Sequence, residues 1–426
     1  MIYKIIEFLS IYLQENWNWL LLITTFLLII LIHFRMIIGK SIRKYKWEIL
    51  VFSTSILFFG SIIINQSWVD IQLHCYNLSE SLNKGSFPGY PLYFFLIYAL
   101  SGFQNNSTLF IISSGIVLSS IFVIKYYAIK QYFQIKKVFS SELMIFFLCF
   151  IGVIFYSAEE QYIGKHSLTC FHNSTSMPLL PISILMLMYS IKYLKNGSDL
   201  NLRLKLIALS SISMLFKPSF MFIFLPVFIL FLLIMKKNKI IEAIIIFLPS
   251  IIILALEYLF IFASEQVPTN SIDSNIDNGI AFGWLDVWHQ KSPSYLQKAI
   301  DILMPIIFPL IYLYYRPQAR KHLEFKFLLV LLISSFFFAN MIYEDGSRML
   351  HGNFMWHIHI INILFFLYCV RDWLENKLNF SNFTNKLFRV IIFIHVIFGF
   401  LAMYNFIFHG MHYNEWFDPR RIINLL

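Results

Sequence analysis

Apolar residues run along the chain in blocks of about twenty, separated by short polar stretches. A helix crossing the hydrocarbon layer of a bilayer needs ~20 such residues. Blocks that fit lie at 17–37, 48–64, 108–129, 141–156, 177–194, 240–262, 299–315, 327–343, 354–370 and 387–408. The stretch 203–235 is also apolar but is interrupted by Lys217-Pro218-Ser219. A charge beside a helix-breaking proline predicts two short segments meeting at a polar face. The pattern therefore predicts an all-α polytopic membrane protein with about 12 transmembrane helices. Residues 1–16 lead into the first block with no small-residue cleavage site, so this segment is expected to be retained.

Charge assigns the sides. Basic clusters lie at Lys40/Arg43/Lys44/Lys46, Lys130/Lys136/Lys137, Lys192/Lys195/Arg203/Lys205, Lys236/Lys237/Lys239, Arg316/Arg320/Lys321/Lys326 and Arg371/Lys377/Lys386/Arg389. With twelve spans drawn, these fall in alternate loops, and Arg35 and Lys125 sit at span ends. The other loops hold Asp70, Glu80, Glu159, Glu160, Glu265, Asp273, Asp277, Asp286, Glu344 and Asp345. Basic loops stay in the cytoplasm, so the acidic ones are expected outside, with both termini external. The same parity settles the short apolar segment at 90–103. Counting it as a span would invert everything downstream, so 88–103 is expected to be an interfacial or re-entrant helix on the external side.

Composition narrows the function classes. Of 426 residues, 58% are hydrophobic, 19% aromatic and only 13% charged, with a mean hydropathy of +0.69. Soluble domains carry ~25% charged residues, which excludes a soluble enzyme, a nucleic-acid-binding module or a secreted disulfide scaffold. The net charge of +10 reflects the cytoplasmic clusters and does not point to nucleic acid. No phosphate-binding GxxxxGK[ST] or GxGxxG motif is present. The chemistry gathers in the external loops, while the spans are nearly free of charge at mid-depth.

In the first external loop, Asp70 is placed to act as general base on a hydroxyl acceptor, or else as a helix cap or a solvated loop charge, with His74 one turn later on the same face. The loop 157–176 carries Glu159, Glu160, His166, His172 and Asn173. It reads as a polar loop contacting substrate through Glu159, Glu160, His172 and Asn173, or as a plain solvated loop. Its histidines lack metal-ligand spacing, and Asn173-Ser174-Thr175 matches the N-glycosylation sequon. Lys217 suits a phosphate or pyrophosphate, or alternatively snorkels to water. Glu344, Asp345, Arg348, His351 and Asn353 crowd one turn, with Arg348 the best fork-shaped phosphate ligand, or else form a solvated acidic-basic turn with an internal ion pair. In the loop 263–298, Trp284 and Trp288, beside Asp286 and His289, are expected to be interfacial anchors, with sugar stacking the lesser alternative. Cys75 and Cys170 lie in external loops, where an oxidising compartment would allow them to pair; Cys149 and Cys369 are embedded.

The order of features between residues 48 and about 240 resembles the GT-C superfamily of integral membrane glycosyltransferases, which use polyprenyl-phosphate-linked sugars. A span leads to an external loop bearing Asp70; YNLSESLNKGSFPGYPLYFFLIYALSG follows, with its Gly, Pro and interfacial hydrophobic helix; a span then returns inward. The resemblance implies that Asp70 is the catalytic base or acceptor-site carboxylate and that Lys217 and Arg348 hold the lipid phosphate. Here a single Asp stands where the family commonly has an acidic pair, and a further span precedes. The chain is expected to form one transmembrane domain over 1–426. It comprises an extra N-terminal span within 1–47, a GT-C-like core at 48–240 with first external loop 65–107, and C-terminal spans at 241–426 with external loops 263–298 and 344–353.

The resulting expectation is a multi-pass glycosyltransferase of the cytoplasmic (inner) membrane, moving sugar from a polyprenyl-phosphate donor to a cell-envelope glycan on the external face. A divalent cation is a possible cofactor, and membrane lipid is the surrounding partner. The alternatives are a Wzy-like polymerase of lipid-linked oligosaccharides and, in a different class, a polytopic transporter or flippase.

Overall fold

The computed structural model describes residues 45–64, 70–89, 91–133, 139–154, 173–197, 199–235, 240–262, 280–291, 294–344 and 353–409. Among them are 14 α-helices and one two-stranded ribbon. In chain order the helices are α1 (Lys46–Ile64), α2 (Asp70–Asn83), α3 (Pro91–Leu100), α4 (Ser107–Phe133), α5 (Phe139–Leu148), α6 (Leu179–Asn196), α7 (Leu200–Phe216), α8 (Ser219–Met235), α9 (Ile240–Phe262), α10 (Asp286–Lys291), α11 (Tyr295–Tyr315), α12 (Leu323–Met341), α13 (Trp356–Glu375) and α14 (Asn382–His409). Seven of them, α1, α4, α9, α11, α12, α13 and α14, are long and apolar enough to cross a membrane. The chain is an all-α, multi-pass membrane protein. The apolar block at 17–37 lies outside the described residues, and α6, α7 and α8 occupy three further predicted positions.

Helix α13 is buried along almost its whole length and packs on α6, α8, α11 and α12, while α4 packs on α1 and α6. The α7–α8 hairpin forms as its sequence demands. The carboxylate of Asp199 accepts the Leu202 amide (2.6 Å) as N-cap of α7. The helix ends at Lys217, held extended ahead of Pro218, and α8 starts at Ser219.

The span expected at 141–156 is only half a helix. α5 stops at Leu148, and the backbone runs non-helical and buried through residues 151–153. Its freed groups find partners on other helices, as they must inside a bilayer. Lys125 Nζ of α4 donates to the Cys149 carbonyl (2.8 Å). The Gly152 amide donates to the His395 carbonyl of α14 (2.9 Å), and His395 Nδ1 lies 2.8 Å from the Gly152 carbonyl. A carbonyl only accepts, so this ring nitrogen carries the proton. Lys125 is therefore no marker of a span end; it is 1% exposed.

Ionisable side chains are nevertheless buried within these helices: Lys125, Glu257, Asp301, His357, His359 and His395. The basic clusters, too, do more than mark a side. The guanidinium of Arg371 holds Glu324 bidentately (2.6 and 3.1 Å) and lies 4.4 Å over the Tyr132 ring, while Tyr132 donates to the same carboxylate (2.5 Å). Asp372 takes Arg316 Nε (2.8 Å) and the Tyr312 hydroxyl. Glu142 pairs with Lys130 (2.7 Å) and Glu242 with Arg203 (3.1 Å). Together the Arg371 and Asp372 clusters fasten α4, α11, α12 and α13 at one end. Arg371→Ala strands a buried carboxylate, and the expected cost is about 3–5 kcal/mol. The check is the thermal midpoint of the detergent-solubilised protein, which an Arg371→Met/Glu324→Gln double variant should partly restore.

At the other end, β1 (Ile280–Phe282) pairs antiparallel with β2 (Ile342–Glu344), with Ile280 opposite Glu344 and Phe282 opposite Ile342. The loops 263–298 and 344–353, expected to be separate, are thus stitched together at their edges. Tyr343 donates to Asp286 (3.2 Å), and a Cβ at Gly283 would fall on the Asp286 carboxylate. Trp288 is not an interfacial anchor. It is buried with Val287, Ala339, Met355 and Ile358, and its indole N–H donates to Asp301 (3.0 Å). Trp284 fits the anchor role, half-exposed with its ring 6.0 Å from that of Phe337 on α12.

Candidate functional site

Helix α2 opens at Asp70 and buries Ile71, Cys75 and Leu78 on one stripe. That stripe packs on the first turns of α4, and the short apolar α3 packs on α4 beside it. The helix expected at 88–103 is α3, with Tyr93, Phe94 and Ile97 turned inward. The Tyr93 hydroxyl lies 2.6 Å from Ser114 Oγ of α4. His74, one turn after Asp70, packs edge-on against Tyr93 and Phe94.

The turn before α6 comes to meet α2. Asn173 Oδ1 accepts from Thr175 Oγ1 (3.0 Å) and from the Ser176 amide (2.9 Å), which fixes its side chain. Its Nδ2 then donates to Asp70 Oδ2 (3.1 Å). Ser174 Oγ sits 2.6 Å from His74 Nδ1. Asn173 is buried and its amide is engaged, so the sequon it begins is no site for a glycan.

Lys217 completes the group. Only 3% exposed, it does not snorkel; its ammonium lies 4.9 Å over the ring of Trp356, the first residue of α13. The Trp356 ring in turn packs against His359 (5.1 Å). The 3-10 turn Asn353–Met355 reaches α8 through Phe354 and Phe222, whose rings are 5.9 Å apart. Groups more than a hundred residues apart in sequence thus share one electrostatic environment. No protein-family model and no curated protein matches the chain. The site is therefore read from its geometry alone.

Burial pushes the Asp70 carboxyl up to about 6, against the opposing pull of the Lys217 ammonium. His74 is driven down to about 3 by burial and by the same ammonium, so its ring is neutral at physiological pH. Burial also lifts the Cys75 thiol to about 12. Cys75 is a free, fully buried cysteine, which removes the pairing considered for it; Cys170 lies outside the described residues.

Of the residues singled out from the sequence, Asp70, His74, Asn173 and Lys217 come together. Glu344 and Asn353 are placed by their backbone, ending β2 and opening the turn before α13. Their side chains, together with Glu159, Glu160, His172, Asp345, Arg348 and His351, lie outside the described residues. Ser174 and Trp356 were not anticipated. Ser174 follows Asn173 in a polar loop, whereas Trp356 is, in sequence, an ordinary aromatic at a span end. Among the described residues no three or more His, Cys, Asp or Glu side chains are placed to hold a metal ion together. One carboxylate, a neutral imidazole and an ammonium do not fit a divalent cation, and no step is assigned to one.

What this set can do is specific. A carboxylate with a pKa near neutrality, oriented by an amide, is equipped to accept a proton from a hydroxyl. A buried ammonium beside it is equipped to receive developing negative charge.

Proposed function

We propose that the chain is a membrane glycosyltransferase that moves a sugar from a polyprenyl-phosphate donor to a hydroxyl of a cell-envelope glycan. It would do so at the external face of the cytoplasmic membrane, on a GT-C-like frame of about twelve spans. The observation that carries this reading is that Asp70 lies within the electrostatic reach of Lys217: a half-buried base of suitable pKa and a buried cation suited to phosphate, on elements that belong to different loops. In the reaction, Asp70 takes the acceptor hydroxyl proton as the acceptor oxygen bonds to the sugar's anomeric carbon. The bond from that carbon to the phosphate oxygen breaks, and its electron pair leaves on the lipid phosphate. Lys217 stabilises that charge, with Arg348 as its proposed second ligand. Asn173 orients Asp70 and is a positioning residue. Glu159, Glu160, His172, Glu344, Asp345, His351 and Asn353 are proposed to contact the sugar and acceptor.

The test is the envelope glycan of cells lacking the protein, complemented with wild type or with Lys217→Met. Removing an electrostatic stabiliser of this kind costs about 10²–10³-fold in rate, so the variant, inserted at normal levels, should leave the glycan short of one sugar. A normal glycan with Lys217→Met would remove Lys217 from the mechanism. Shortened glycan chains would favour the polymerase.

A transporter is the second reading, favoured by one observation: the span at 141–156 is broken, as spans that line substrate paths are. It ranks lower because Lys125 and His395 already satisfy the Cys149 and Gly152 carbonyls at the break. Unchanged glycan with altered solute uptake would reverse the ranking.

A further inference from the structure

Strand β1 turns one side outward. Ile280, Phe282 and Trp284, alternate residues along the strand and its continuation, are 42%, 74% and 59% exposed, while Ala281 and Gly283 between them are half-buried. The other side is packed: Tyr343, paired with Ala281, lies against the buried group of Val287, Trp288, Ala339, Met355 and Ile358. A ribbon with one packed side and one side in water carries polar residues on the wet side. Here that side is Ile, Phe and Trp, and of the paired residues only Glu344 is charged, at the end away from Trp284.

Helix α12 shows what that side faces. Leu329, Ile333, Phe337 and Met341 follow one another at four-residue spacing and are all exposed, so they form the stripe that this membrane-crossing helix turns to lipid. The stripe runs to the last residue of the helix. The chain leaving β1 runs back along it: the Gly283 amide donates to the Met341 carbonyl (3.1 Å) and the Leu285 amide to the Asn340 carbonyl (2.8 Å). The Trp284 ring then lies 6.0 Å from that of Phe337, a full turn short of the helix end. Helix α12 has 19 residues and is about 28 Å long, close to the ~30 Å of the hydrocarbon layer. Its first turn is held by the charge pair of Glu324 and Arg371. With that polar end at one boundary of the layer, Met341 falls at the other and Trp284 just beneath it, the depth at which tryptophan gathers.

We propose that this side of the ribbon is a lipid-docking surface: Ile280, Phe282 and Trp284 rest among acyl chains in the leaflet at that end of α12 and continue its lipid-facing stripe. Seated this way, the ribbon fixes the depth of α10, whose Val287 and Trp288 pack with Met355, the residue before Trp356. The surface is separate from the Asp70–Lys217 group and does not depend on the function proposed for it.

The experiment places a nitroxide at Phe282→Cys or Trp284→Cys in a Cys170→Ser background, where Cys75, Cys149 and Cys369 are fully buried. Ile333→Cys gives the lipid reference, and Lys377→Cys, exposed at the basic end, the water reference. The full chain is placed in phosphatidylcholine nanodiscs, and the collisions of each label with oxygen and with a water-soluble nickel chelate are measured. The expected oxygen-to-nickel ratio at Phe282→Cys and Trp284→Cys matches that at Ile333→Cys and is several-fold above that at Lys377→Cys. A ratio matching Lys377→Cys puts the ribbon in water and overturns the proposal. Few collisions with either reagent means that protein covers the face, a second copy where the labels also broaden one another's spectra, and overturns it equally. Trp284→Phe gives a measurement that leaves the face apolar. The fluorescence difference between wild type and this variant isolates the Trp284 emission. Lipids brominated on their acyl chains should quench it, more strongly with bromine near the headgroup than near the chain end. Emission that neither lipid quenches overturns the contact, and stronger quenching from the chain end contradicts the depth.

Discussion

Gly399→Ala is expected to prevent the chain from reaching a stable fold. A Cβ at this position falls on the Phe150 carbonyl oxygen, and one at Gly152 would lie 2.7 Å from the Gly399 amide nitrogen. Both obstacles are backbone, so no rotamer change relieves them. The backbone segment they would displace is the one whose carbonyls are held by Lys125 and His395. Adding a methyl to a packed core costs about 1–3 kcal/mol when side chains can yield; here the loss should exceed that range and also release the two polar contacts. The fully buried thiols of Cys75, Cys149 and Cys369 provide the readout. In a Cys170→Ser background, where these three are the only thiols, a thiol-reactive dye should label purified Gly399→Ala near room temperature while the parent needs heating. Gly60→Ala is the control, since a Cβ there meets nothing within 4 Å and alanine favours a helix by up to about 1 kcal/mol.

Asp70→Asn is expected to lower the proposed transfer by about 10²–10⁴-fold, the usual contribution of a general base, and to raise stability at neutral pH. The two effects have one cause. Burial places the folded pKa near 6, above the ordinary 3.8. The protonated form is therefore the one the fold favours. Its stabilisation is fully present below the ordinary value and is lost as pH rises through about 6. At ~1.4 kcal/mol per unit this amounts to up to about 3 kcal/mol at pH 7, which the uncharged asparagine escapes. Wild-type kcat/KM should rise with pH up to about 6 and then level off. The same dye assay should show Asp70→Asn melting above wild type at pH 7, with the gap closing by pH 4. An inactive variant with no gain in stability would mean that Asp70 is not held as described.

Much of this was legible in the sequence. Hydropathy located α9 to the residue and α1 within two, because the free energy of placing side chains in lipid decides where spans lie. Lys217-Pro218 marked the α7–α8 junction because a proline cannot continue the helix before it. Hydropathy could not show that the segment after Leu148 leaves the helix, since Phe150, Ile151 and Val153 are as apolar extended as helical. What decides the break is the capture of its backbone groups by Lys125 of the preceding long helix and by His395, more than two hundred residues on. Charge parity, likewise, assigns a side to Arg371 and Arg316 without revealing that Glu324 and Asp372 are their partners. In the site, Asp70, His74, Asn173 and Lys217 stood out because polar groups at a membrane mouth are few. Trp356 did not, since its role depends on the ammonium above its ring.

The β1–β2 ribbon joins two stretches of chain that hydropathy treats as independent. Strand β1 runs through Gly283 and Leu285 into α10, and β2 lies in the segment that leads to Trp356. With the register fixed by three residue pairs, a one-residue slip would invert which side chains face the membrane domain and carry Tyr343 away from Asp286. The ribbon thus couples the approach to α10 with the exit from α12: a change of register on either strand is felt at once by Asp286 and Tyr343, on opposite sides of the pairing.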